Sequence, residues 1–171
     1  IILAGGNSSR MGELSAKRAV AAMPIVGSYR AIDFTLSNMV NSGIDEVGVI
    51  TKSNYQSLLD HLGSGREWDL ARKNGGLHLL PPFSHVQSGM YRGRLEALYG
   101  VSDFIMRSGA DYVIMSDCDV VTSMDYTPII EQHIESKADI TVVYANDIVD
   151  LEQARTSTVF GISAGGRIND V

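Results

Sequence analysis

Two groups of residues in this chain could do chemistry. The first is Gly5-Gly6, followed by Ser8, Ser9 and Arg10, on the heels of the apolar run 1–4. Glycine lets backbone N–H groups approach phosphate oxygens closely and permits positive φ. An arginine adds a fixed-charge fork suited to phosphate. The chemistry such a loop would do is to cradle a triphosphate; the plainer use is a strand-to-loop turn with a solvated arginine, and two glycines alone do not decide. The second group is Asp117 and Asp119, directly after the apolar run 112–115 (YVIM). Carboxylates so placed are hard-oxygen ligands for Mg²⁺, which is usually held by one or two carboxylates plus substrate phosphates. The ion would bridge phosphate oxygens and offset developing charge in a phosphoryl-type transfer. Turn formation and capping are the plainer uses of the same aspartates.

Other candidates are weaker. Lys17-Arg18 could reach phosphates or simply lie solvated on a loop. The histidines at 61, 78, 85 and 133 show no metal-ligand spacing. Cys118 lies between the two aspartates, which raise its pKa rather than activate it, and reads as structural. Trp68 reads as a packing anchor.

These residues need a frame, and the hydrophobic pattern supplies one. Strands are expected at 1–4, 46–51, 77–80, 112–115, 140–144 and 158–163. Helices are expected at 31–43, 56–62, 93–107 and 128–136. Apolar strands alternating with helices imply βαβ units and a mostly parallel sheet covered on both faces. Ligands of such sheets bind beyond the carboxyl ends of the strands. The loops after 1–4 and after 112–115 both leave carboxyl ends, so Gly5 to Arg10 and Asp117 to Asp119 are expected on one rim. The loops 63–76 and 81–92 are long, and long loops on this kind of scaffold are often functional.

A chain of 171 residues suits one domain with a sizeable core, and a formal net charge of −6 argues against a broad nucleic-acid footprint. The single cysteine excludes an internal disulfide and suits a reducing compartment. No apolar run is long enough to span a membrane. The chain opens inside a strand without Met, so a piece of a longer protein is expected.

In combination the motifs resemble the nucleotidyltransferase domain of bacterial ADP-glucose pyrophosphorylase (glucose-1-phosphate adenylyltransferase). The markers are LAGGxxSR at 3–10, YRxIDFxLSNxVNSGI at 29–44, GVIT at 48–51, WDLxR at 68–72, GGLxLLPP at 75–82, the segment 91–99 and MDY at 124–126. The resemblance covers nearly the whole chain. It implies an α/β fold: a Rossmann-like nucleotidyltransferase domain over 1–171, truncated at both ends, with a mostly parallel sheet and helices on both faces. A left-handed β-helix domain is expected to follow in the full-length protein. It also implies ATP and glucose 1-phosphate as substrates, ADP-glucose and pyrophosphate as products, and Mg²⁺ where the site functions.

Carried over position by position, the resemblance makes Arg10 and Asp119 the catalytic candidates and Asp119 the metal ligand. Gly5, Gly6, Ser9, Arg10 and Gly93 become the nucleotide-binding candidates. Several positions depart from the family pattern. Ser8 replaces a glycine. A phosphate-contacting lysine falls on Val20 and a second lysine on Ser28. WYKGTA becomes Met90-Tyr91-Arg92-Gly93-Arg94-Leu95, and SGDH becomes Asp117-Cys118-Asp119-Val120. Scaffold residues stay while residues near the chemistry change, as in regulatory-type subunits that pair with a catalytic homologue. The leading expectation is therefore a cytoplasmic regulatory subunit in glycogen biosynthesis, working as a hetero-oligomer or a homo-oligomer, with neither nucleic acid nor membrane as partner. One alternative is an active nucleotidyltransferase using Arg10, Lys17 and Asp119, because LAGGNSSRMG also resembles the opening of the molybdenum-cofactor guanylyltransferases and cytidylyltransferases. The other is a module that binds nucleotide or sugar phosphate without turnover.

Overall fold

The first strand, β1 (Ile2–Leu3), is short and buried. It pairs in parallel with β2 (Glu46–Ile50) on one side and with β4 (Ser116–Asp117) on the other. β3 (Gly76–Leu80) pairs in parallel with β2, giving a four-stranded sheet in the order β3-β2-β1-β4. The computed structural model describes residues 1–5, 8–81, 91, 93–146 and 157–171, with the side chains of 8–10 outside the description.

Among the described residues five α-helices accompany the strands: α1 (Ala31–Asn41), α2 (Gln56–Leu62), α3 (Arg94–Gly100), α4 (Ser102–Ser108) and α5 (Thr127–Ser136). Successive strand residues point to opposite faces, and the core divides accordingly. Ile2, Ala4, Val47 and Val49 pack with Ile32, Leu36 and Met39 of α1, Leu58 and Leu62 of α2, and Ile129 and Ile130 of α5. Ile1, Leu3 and Ile50 pack with Ala97 of α3 and Phe104 and Ile105 of α4. Helices therefore cover both faces of a parallel sheet, as the alternating pattern implied. Gly48 lies on the second face, where a Cβ would stand 2.7 Å from Phe104 Cε1 and 2.9 Å from Leu80 Cδ1. Its missing side chain lets α4 press onto β2.

Some elements differ from the sequence reading. The helix expected over 93–107 is two helices, broken at Val101, whose φ of −116° and ψ of 14° leave the helical region. Gly100 ends the first one. It is a weak helix former, and a Cβ there would lie 2.9 Å from Tyr91 Cε1. The run 112–115 is not a strand; the ladder begins at Ser116, opposite Ile2, so 112–115 lies ahead of the pairing. The run 140–144 is irregular and exposed, because its apolar residues find no ladder among the described residues. The strand expected at 158–163 shrinks to β5 (Gly161–Ile162), which pairs antiparallel with β6 (Ile168–Asp170) rather than joining the parallel sheet.

The chain divides into two compact units, Ile1–Glu135 and Ser136–Val171. The first holds the parallel sheet. The second holds the β5–β6 hairpin, whose turn is closed by Ser163 N–H donating to the Arg167 carbonyl at 2.9 Å. Among the described residues, no helix is long and apolar enough to cross a membrane.

Candidate functional site

Parallel pairing brings the carboxyl ends of β1, β2 and β4 to one rim. A cavity of about 290 Å³ opens there. Its lining comes from four places: Leu3 and Gly5 from β1 and its exit, Ile50, Thr51 and Lys52 from β2, Asp117 and Asp119 from β4, and Tyr91, Gly93, Arg94 and Ala97 around the start of α3. Of the residues singled out from sequence, Gly5, Gly93, Asp117 and Asp119 meet here. Gly6 and the side chains of Ser9 and Arg10 lie outside the described residues; the Ser9 and Arg10 backbone belongs to a 3₁₀ segment, Ser8–Ser15, kinked at Gly12.

One ion pair dominates the rim. Arg94 Nη2 donates to Asp117 Oδ2 at 2.5 Å, with the Arg94 side chain 66% exposed and Asp117 33% exposed. Arg94 thus neutralises one of the two aspartates read as metal ligands. Leu95, by contrast, turns away, and it is 81% exposed. Val20, the position where the resemblance puts a lysine, is buried in a 3₁₀ turn, Val20–Ala22, so it offers no charge. Lys17 and Arg18 are exposed in the bend before that turn and are absent from the cavity lining.

Three lining residues were missed in the sequence. Lys52 packs its stem against Gly5, with its Cδ 3.6 Å from where a Gly5 Cβ would be. It brings a cation to the rim. The Thr51 and Tyr91 hydroxyls are buried with no hydrogen-bond partner among the described residues. Burial also pushes the Tyr91 phenol above its ordinary pKa. A buried hydroxyl without a partner costs about 1–3 kcal/mol; both residues line the cavity, and the Tyr91 hydroxyl lies over Gly100 of α3. The signal for Thr51 and Lys52 was present: they directly follow the apolar run of β2, at a carboxyl end. Tyr91 gave none beyond its place in a family marker.

Behind the rim, polar residues of the family markers act as scaffold. Asn38 of α1 donates to the Thr122 carbonyl at 2.8 Å and accepts from Met124 N–H at 3.2 Å. Ser42 accepts from Tyr126 N–H at 2.8 Å. These bonds hold the segment that leaves Asp119. Asp33 caps α1 by accepting from Arg30 N–H at 2.9 Å, and it pairs with His61 Nε2 at 2.6 Å. Trp68 packs against the core with its ring edge toward His61. Cys118 is fully buried, and its thiol is pushed up to about 12, first by burial and then by Asp119 and Asp117.

For a hard cation the rim offers little protein coordination. Asp117 is committed to Arg94. Among the described residues no group of three or more His, Cys, Asp or Glu is placed to hold a metal ion. Mg²⁺ held by Asp119 would need oxygens from a bound phosphate, a mode this ion commonly uses.

Comparison with known proteins places these features in a family context. The sequence model described as nucleotidyl transferase matches residues 1–163. Glucose-1-phosphate adenylyltransferase of Thermotoga maritima is 40% identical over 171 residues, covering 99% of this chain and 40% of that protein. The enzyme of the same name from Geobacillus stearothermophilus is 46% identical over 146 residues, covering 83% of this chain and 37% of that protein. The chain thus spans about 40% of the length of these curated relatives. Among solved structures, a Bacillus anthracis protein described as a glucose-1-phosphate thymidylyltransferase, crystallised with a sucrose, superposes with a TM-score of 0.61 at 25% identity. That match covers 80% of this chain and 50% of the other.

Proposed function

Because the chain belongs to the nucleotidyl transferase family, we propose that it is part of a glucose-1-phosphate adenylyltransferase, in the role of a regulatory subunit with little or no turnover of its own. The relatives at 40–46% identity carry the name of that enzyme, which supports ADP-glucose synthesis as the setting. The regulatory role is carried by one observation, the Arg94–Asp117 ion pair across the rim. A site that turns over a nucleotide triphosphate needs its carboxylates for a cation and its cations for phosphate. Here one carboxylate, Asp117, is held by a guanidinium instead of being free for a cation. Buried Val20 adds to this, since the loss of a charged contact made in a transition state typically costs about 3–4 kcal/mol. On this reading the subunit works in the cytoplasm beside a catalytic homologue.

The test is an adenylyltransferase assay of the full-length protein with ATP, glucose 1-phosphate and Mg²⁺, alone and mixed with a catalytic homologue. Alone, its turnover should fall far below the usual enzyme range of about 1–10³ s⁻¹; mixed, it should change the kcat or KM of the homologue. Turnover within that range by the protein alone overturns the regulatory role.

The unpartnered Thr51 and Tyr91 hydroxyls beside Lys52 favour a second, compatible reading, in which the subunit still binds nucleotide or sugar phosphate as a sensor. Calorimetry with ATP and with ADP-glucose tests it; the absence of heat with both rejects it and leaves a purely structural partner.

A further inference from the structure

We propose that Arg94 takes the place of a divalent cation at the rim, so that this cavity binds a polyphosphate-bearing ligand without a metal ion. The inference rests on the reading of the cavity as a nucleotide site and adds how its charge is arranged. Two carboxylates, Asp117 and Asp119, face the cavity. Phosphates placed beside them are repelled unless a cation lies between, which is the usual task of Mg²⁺. Arg94 already lies against one of them, with Nη2 on Asp117 at 2.5 Å. A guanidinium has five N–H donors in a planar fork. The side chain is 66% exposed, so the donors not used on Asp117 remain open to a ligand. One group can thus bridge carboxylate and phosphate as a bound ion would. A metal ion entering between Asp117 and Asp119 would first have to displace it.

Two further features show that the cavity is built for a ligand rather than closed by the ion pair. Thr51 and Tyr91 line the same cavity and are more than nine-tenths buried, and their hydroxyls have no partner among the described residues. Lys52, on the opposite side of the β1 exit, has no ionic partner among the described residues and supplies a second positive charge. Among the described residues the two cations, Arg94 and Lys52, balance the two carboxylates. Without Arg94, carboxylates would outnumber cations and a metal would be needed. The ligand class that fits is a nucleoside polyphosphate: phosphates for Arg94 and Lys52, and a hydroxyl-bearing or ring portion for Thr51 and Tyr91.

The experiment is equilibrium dialysis of the full-length protein against labelled ATP, in excess EDTA and in excess Mg²⁺. Wild type should bind equally in both, within about twofold. Arg94→Thr should weaken binding in EDTA by about tenfold or more, as expected for a lost charge-assisted contact, and make binding depend on Mg²⁺. Asp117→Asn, which leaves the guanidinium in place, should keep metal-free binding. Thermal melts of both variants should stay close to wild type, since the Arg94 side chain is largely exposed. Wild-type binding that disappears in EDTA and persists in Mg²⁺ overturns the inference and leaves the nucleotide-site reading standing. Unchanged metal-free binding by Arg94→Thr also overturns it. Binding in neither condition overturns both.

Discussion

Leu3 stands opposite Asp117 in the parallel β1–β4 ladder. That register fixes the site. The chain leaving Leu3 passes through Gly5, and the chain leaving Asp117 passes through Asp119, so the two exits emerge side by side. β2 lies on the other flank of β1 and delivers Thr51 and Lys52 to the same rim. The site is thus a consequence of strand order: two exits flank a central strand that is itself only two residues long.

Lys52 should be the residue whose charge matters most to binding without mattering to stability. Its stem lies along Gly5 and its ammonium has no ionic partner among the described residues. Lys52→Gln keeps most of the stem and removes the charge. Affinity for ATP, measured by calorimetry, should fall by about 1.5–3 kcal/mol, while the thermal midpoint of the free protein stays the same. Equal affinity would remove Lys52 from the site.

The two orphan hydroxyls predict opposite effects on the free and the bound protein. Thr51→Val and Tyr91→Phe each remove a buried oxygen that has no partner. Leaving such an oxygen buried costs about 1–3 kcal/mol, so the free variants should be at least as stable as wild type in urea. Affinity for ATP should drop by about 0.5–1.5 kcal/mol per hydroxyl. A variant that loses stability and keeps affinity would mark its hydroxyl as structural.

How much of this was legible in the sequence depended on whether the determining contact was local. The helix at 56–62 and the strand expected at 77–80, observed at Gly76–Leu80, were readable because their apolar patterns are local and Pro81 stops the strand. Gly5 and Asp119 were readable as one rim because strand-to-loop junctions in a parallel sheet fall on one side; Gly93 came from the family resemblance alone. Arg94 stood out only as a departure from the family pattern. Its pairing with Asp117 joins positions 23 apart, through two loops, and nothing in the spacing announces it. The apolar runs 112–115 and 140–144 looked like strands by composition, yet a strand also needs a neighbour in register. The ladder on β1 starts at Ser116, and 140–144 has none among the described residues.

Gly48 should be irreplaceable for the sheet rather than for the site. It lies mid-strand in β2, and a Cβ would come within 3.0 Å of Phe104, Leu80 and Ile1 side chains. Gly48→Ala should lift α4 from the sheet and lower stability by about 1–3 kcal/mol, the usual cost of overpacking a filled core. Urea unfolding measures it. The loss should be relieved by Phe104→Leu in the same chain, because the ring edge at 2.7 Å is the nearest obstacle.

Cys118 predicts how stability depends on alkaline pH. Its thiol pKa is raised from 9.0 to about 12 by burial, with Asp119 and Asp117 adding to the effect. The fold therefore favours the neutral thiol. Above 9.0 the unfolded chain releases this proton while the native protein keeps it, so the unfolded state binds fewer protons and stability falls with rising pH. The contribution is complete below 9.0 and is lost progressively as the pH climbs through about 12. In urea titrations at a series of pH values, Cys118→Ala should start lower at neutral pH, from the lost packing, and decline less steeply on the alkaline side. A thiol reagent should modify wild-type protein in denaturant but not the folded protein at pH about 8. Rapid modification of the folded protein would mean that Cys118 is exposed and the segment between the two aspartates is open.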